Sequence, residues 1–143
     1  MKCVTYTQEY PANTLRLISD VLVVNGNKSC ETKALWDTGA KNSAISPVVA
    51  SMLGLIPQGT ALVSSVTTQE MSDSYNITVV LRSSINARFE NVFATCHPIE
   101  KQGIGLIIGM NIISKGDFAI SNSNGKTTLS VRFPTQETID FSK

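Results

Sequence analysis

A chain of 143 residues, 42% hydrophobic and 16% charged, is long enough to bury a core without staples and too apolar to remain disordered. Its net charge of +1 comes with no basic stripe, which argues against nucleic acid as a partner, and no apolar run approaches membrane-spanning length. Three cysteines (Cys3, Cys30 and Cys96) without a Cys-x-x-Cys pair, and a lone histidine, His97, indicate neither a disulfide framework nor a metal site. The opening Met1-Lys2-Cys3-Val4-Thr5 lacks the apolar stretch of a secretory signal, so a cytoplasmic location is expected.

By length the chain reads as a single domain over residues 1–143. Residues 1–14 are polar and show no clear period, as an N-terminal arm or edge strand would. Leu15 to Val24 is β-branched and apolar, and Asn25-Gly26 then signals a hairpin. Lys28 to Trp36 returns as a second strand and delivers Asp37 to its end. Ser46 to Gly54 has the marks of a short helix: Ser46 as N-cap, Pro47 at the first position and Gly54 as terminator.

Thr60 to Val66 and Tyr75 to Leu81 read as two strands, with the polar run Thr67 to Asp73 as a long hairpin tip. Ala87 to Cys96 is a further strand. Gly105-Leu106-Ile107-Ile108-Gly109 is a short buried strand ended by glycine, and Met110 to Gly116 one or two helical turns closed by glycine. Phe118 to Ser121 and Lys126 to Phe133 are strands about an Asn122-Ser123-Asn124-Gly125 turn, and Pro134 stops the pairing. Residues 135–143 form a C-terminal tail. Many short strands with turn signals and two short helices predict a mainly β fold.

One stretch carries chemistry. Ala34-Leu35-Trp36-Asp37-Thr38-Gly39-Ala40 places an acid, a hydroxyl and a glycine directly after an apolar strand, on a rigid support. Taken alone, Asp37-Thr38-Gly39 also suits an ordinary turn. No Gly-x-Ser-x-Gly is present, and the neighbours Cys96 and His97 on one strand would face opposite ways, so a Cys-His nucleophile is not expected. By the same alternation Trp36 faces away from Asp37, toward a core or an interface.

The Asp37-Thr38-Gly39-Ala40 loop, the helix ending Leu53-Gly54-Leu55, and the downstream Leu106-Ile107-Ile108-Gly109-Met110-Asn111-Ile112-Ile113 and Gly116-Asp117-Phe118-Ala119-Ile120 together resemble the retropepsin-like aspartic proteases, the family of retroviral proteases and their bacterial relatives. The resemblance covers roughly residues 15–134. It implies a closed retropepsin-like β-barrel, the acid protease fold, and an aspartic endopeptidase that uses water and needs no cofactor or metal. Catalysis by this route takes two carboxylates sharing one proton. Only Asp37 among the five aspartates is followed by Thr-Gly, so the pair requires a homodimer with Asp37 from each chain at the two-fold.

On the same resemblance Thr38 bonds across the axis, Gly39 lets the backbone approach the carboxylates, and Ala40 leaves room for a peptide or protein substrate. Val63 to Tyr75 falls where the family has its flap, so Thr67, Thr68 and Gln69 are expected to bind substrate. The chain departs from the family at Lys41, where small or acidic residues are usual, and in a flap tip without glycine. Both departures fit an alternative role, a catalytically inactive module that binds a peptide or partner protein. A small β-barrel binding protein unrelated to proteases would require the motif pair to be coincidence.

Overall fold

Alternation in the two strands before Asp37 sets which way the sheet faces. β2 (Ile18–Asn25) and β3 (Lys28–Trp36) form an antiparallel hairpin. Ser19, Val21 and Val23 of β2 and Cys30, Ala34 and Trp36 of β3 are buried, while most residues between them are exposed or half-buried. Asn25 pairs with Lys28, which leaves Gly26 and Asn27 as the central turn residues, with Gly26 at a φ of 60°. Glycine thus takes the first central position, the type II′ arrangement, one residue later than an Asn-Gly centred turn. The computed structural model describes residues 3–143; Met1 and Lys2, the start of the expected arm, lie outside the described residues.

The chain continues through β4 (Ser43–Ile45), α1 (Pro47–Met52), β5 (Gly59–Ser64), β6 (Gln69–Leu81), β7 (Ala87–Cys96), β8 (Leu106–Ile108) and α2 (Met110–Ile113). Hydrogen-bonded neighbours run β2-β3-β8-β4-β7-β6, and β6 pairs back onto β2 through Leu22–Val80, Val23–Val79 and Val24–Thr78. Six strands therefore close into a barrel, the closed mainly β fold expected. Its interior is filled by Val21, Val23, Ala34, Ile45, Ile77, Val79, Leu106 and Ile108. β6 is long because one edge serves two partners: its first half pairs with β5 and its second half with β2. β5 consequently stands outside the ring, an edge strand on a hairpin.

Helix α1 forms as its sequence dictates. Ser46 Oγ accepts from Val49 N at 3.1 Å, Pro47 opens the helix, and Gly54 follows it with a φ of 61°. Such a cap contributes about 1 kcal/mol. Gly116 behaves differently from the helix-closing glycine expected. The C-cap of α2 is Ser114, in a right-handed conformation, and Gly116 is absent from the positive-φ positions. A Cβ there would run into the Arg132 carbonyl and the Phe133 ring, so glycine is required by close packing rather than by backbone torsion.

β9 (Asp117–Ser121), β10 (Thr128–Phe133) and β1 (Val4–Glu9) make a separate three-stranded antiparallel sheet, in the order β1-β10-β9. The predicted arm is thus an edge strand over Val4–Glu9. Tyr6, Leu129, Val131, Phe133 and Phe118 pack inward on the barrel, and the Phe118 ring lies 5.8 Å from that of Trp36. Trp36 is a core residue: its Nε1 donates to Ser19 Oγ at 2.9 Å, and Ser19 Oγ donates to Gln8 Oε1 at 2.7 Å, which ties β1 to the barrel. The buried indole and hydroxyl are both satisfied, as burial demands.

Among the described residues no helix is long and apolar enough to cross a membrane.

Candidate active site

Asp37 is the first residue beyond β3. Trp36 pairs with Ile108 in the parallel β3–β8 ladder, and Asp37 N extends the ladder by donating to Ile108 O at 2.9 Å. β8 lies between β3 and β4, so the chain from Asp37 to Asn42 must cross the end of β8 to reach β4. This crossing explains Gly109. Its φ of −92° suits any residue, but a Cβ would meet the backbone of Asn42 and come within 2.9 Å of Ala40 O. Glycine is there because the Asp37 loop passes directly over it.

The first turn of α2 holds that loop from below. Met110 N donates to Ala40 O at 2.7 Å and Asn111 N to Lys41 O at 3.1 Å, so helix N–H groups without intrahelical partners satisfy loop carbonyls. Ser43 Oγ accepts from Gly109 N at 3.2 Å and donates to Asn111 Oδ1 at 2.9 Å. Asn111 Nδ2 then donates to Phe93 O at 2.9 Å. The loop is anchored to β7, β8 and α2 together. Within it, Gly39 N donates to Asp37 Oδ1 at 2.9 Å, which orients the carboxylate.

Asp37 is half-buried, and Thr38 and Gly39 are exposed at the crown of the loop. Asp37, Gly39 and Ala40 line a cleft of about 620 Å³ whose other wall is Ala61 to Ser64 of β5 and the turn residue Ser65. The β5–β6 hairpin thus overhangs the carboxylate. Its turn is shorter than the long polar tip expected: Ser64 pairs with Gln69, and only Ser65 to Thr68 bridge the strands. Ser65 N donates to Thr68 O at 2.8 Å, and Thr68 N to Ser65 Oγ at 3.1 Å. Thr67 and Thr68 lie in this turn and Gln69 opens β6, all outside the residues that line the cleft.

The cleft also brings in residues that sequence reasoning did not assign to a site: Asn42, Ala44, Thr95, His97 and Ile107. The signal for His97 was its i+2 relation to Thr95 at the end of β7. The His97 ring bonds to Thr95 Oγ1 at 3.1 Å. Burial pushes its pKa below the ordinary value, and the negative charge of Glu70 opposes that fall. Cys96, the last residue of β7, has its thiol pKa raised by burial first and by Asp73 second.

A family model described as aspartyl protease matches residues 21–112. Among solved structures, the fold is similar to a retropepsin-like aspartic protease from Rickettsia conorii, with a TM-score of 0.59 and 14% identity over 93% of this chain and 97% of that one. The simian foamy virus protease aligns at a TM-score of 0.46 and 16% identity, over 68% of this chain and 92% of that one. No curated protein matches the chain by sequence.

Proposed function

Because the chain belongs to the aspartyl protease family, we propose that it is an aspartic endopeptidase that works as a homodimer, with Asp37 of each protomer forming the catalytic pair. The observation that carries this reading is the placement of Asp37: a half-buried carboxylate, fixed by Gly39 N at 2.9 Å, at the floor of a cleft overhung by a hairpin. One protomer supplies a single such carboxylate, so a second copy completes the site.

In the dimer one Asp37 is ionised and takes a proton from water as the water oxygen attacks the peptide carbonyl carbon. The other is protonated and gives its proton to the carbonyl oxygen, forming a neutral gem-diol. The Asp37 that now holds the proton gives it to the amide nitrogen, and the other takes a proton from a gem-diol hydroxyl as the C–N bond breaks, which releases acid and amine and leaves one proton on the pair. Thr38, exposed at the crown, bonds across the two-fold, and Gly39 leaves the carboxylates accessible. Ala40 makes space for substrate. The free edge of β5 offers backbone N–H and C=O groups to an extended peptide by strand addition, and Thr67, Thr68 and Gln69 close over it from the turn.

The test is hydrolysis of a peptide pool by the purified chain, its Asp37→Asn variant, and a dilution series followed by sizing. Wild type should cut, Asp37→Asn should be inactive with an unchanged melting point, and activity per chain should fall as the dimer dissociates. A hairpin tip cross-bonded through Ser65 and Thr68 and lacking glycine favours one second reading, an inactive peptide-binding module. Peptide binding without hydrolysis by wild type would select it.

A further inference from the structure

We propose that the cleft selects peptides with an acidic side chain near the bond that is cut, and that Lys41 recognises it. The inference rests on the reading of this cleft as a peptide site. Lys41 lines the cleft four residues beyond Asp37. Its side chain is exposed, but its backbone is not free to wander: Lys41 O accepts from Asn111 N at 3.1 Å, and the preceding Ala40 O from Met110 N at 2.7 Å. A flexible cationic arm therefore springs from a point held rigidly with respect to the reacting carboxylate.

The charge has no internal partner. Among the described residues, the ion-paired cations are Lys33, Arg82, Arg88, Lys126 and Arg132, and Lys41 is not one of them. Among the described residues, Asp37 is the only carboxylate that lines the cleft. Two consequences follow for a bound peptide. An Asp or Glu side chain beside Lys41 gains a cation that no protein acid neutralises. A Lys or Arg side chain finds no anion in the cleft except Asp37, and pairing with it would occupy the group that must activate water. Complementary charge here gives selection as well as attraction.

The experiment profiles cleavage of a randomised peptide pool by the full chain, then compares matched peptides carrying Glu or Gln at the enriched position. Wild type should favour Glu by roughly tenfold in kcat/KM at low salt, with the ratio shrinking as salt is added. Lys41→Gln should bring the ratio to about one, Lys41→Glu should turn the preference toward Lys, and Lys41→Arg should keep it. No acidic enrichment in wild type, or a ratio unmoved in Lys41→Gln and Lys41→Glu, overturns the inference while leaving the peptidase reading intact. If no peptide is cut, calorimetry with uncleavable reduced-amide versions of the same pair decides. Tighter binding of the Glu peptide, lost in Lys41→Gln, upholds the acidic preference and removes only the peptidase reading. Equal affinities, or no binding of either peptide, overturn the preference.

Discussion

Gly109→Ala should be among the most damaging single-methyl additions to this chain, although its backbone conformation suits alanine. A Cβ at Gly109 would lie 2.6 Å from the Asn42 carbonyl carbon and 2.9 Å from Ala40 O, and both are backbone atoms that cannot rotate away. Relief requires the Asp37 loop to lift off α2. Three bonds then fail: Met110 N to Ala40 O, Asn111 N to Lys41 O, and the buried Gly109 N to Ser43 Oγ. At about 1 kcal/mol for each bond, and about 1–3 kcal/mol if a buried donor is left orphaned, the cost is about 3–5 kcal/mol. For a chain of this length that is a fall of roughly 12–20 °C in Tm. Gly103→Ala is the control, because Gly103 has a φ of 78° with nothing within 4 Å of its would-be Cβ. Its cost is torsional only, about 1–2 kcal/mol, or roughly 4–8 °C. Thermal unfolding of both variants by circular dichroism separates the cases. A Gly109→Ala melting point no lower than that of Gly103→Ala would refute the crossing-loop account of this glycine.

Two titrations supply further checks. Burial holds the His97 pKa below 6.5, so the unfolded chain binds its proton more tightly; stability is full above pH 6.5 and declines as pH falls through the folded value. Urea unfolding of His97→Gln should show a flatter pH slope across that window, and an unchanged slope would mean that the imidazole is not buried in the cleft wall. Asp117 is held below the ordinary carboxylate value of 3.8, first by the Gln136 backbone N–H at 2.8 Å and then by Arg132 at 2.6 Å. The stability it contributes is present above pH 3.8 and lost as pH falls through the folded value. Asp117→Asn should remove that acid limb and expose residues 135–143 to carboxypeptidase at neutral pH; a tail digested no faster than in wild type would show that Asp117 does not anchor it.

What was legible in the sequence is what local chemistry decides. β3 ends at Trp36 because alternation carries to that residue, and α1 begins and ends on its Ser46, Pro47 and Gly54 signals. The Asp37 loop was legible by its residues and by their distance from Leu106 to Gly109. The errors lie where partners are distant in sequence. Gly116 looked like a helix stop, and only the arrival of β10 shows that it makes room for Arg132 and Phe133. Gln69 to Asp73 looked like loop because it is polar, yet it is strand: it sits on a hairpin that projects from the barrel, and four of its five residues are exposed. A strand that packs against nothing has no reason to be apolar, so polarity did not distinguish it from a turn.

His97 and Asn111 were missed as site residues for a related reason. Neither lies in a motif of its own; each matters through what the barrel closure brings near it. Asn111 links the Asp37 loop to β7 through Ser43 and Phe93 O, a connection among four elements that no window of sequence contains. The same closure explains why one aspartate among five is set apart. Asp20 and Asp117 are each engaged by a cation, Asp140 is bonded by Ser142 N at 2.9 Å, and Asp73 lies on the β6 strand of the hairpin. Among the described residues, Asp37 is fixed by a backbone N–H, is paired with no cation, and lines the cleft of about 620 Å³. The placement of Asp37 therefore depends on a crossing loop supported by Ser43, Gly109, Met110 and Asn111, none of which lines the cleft.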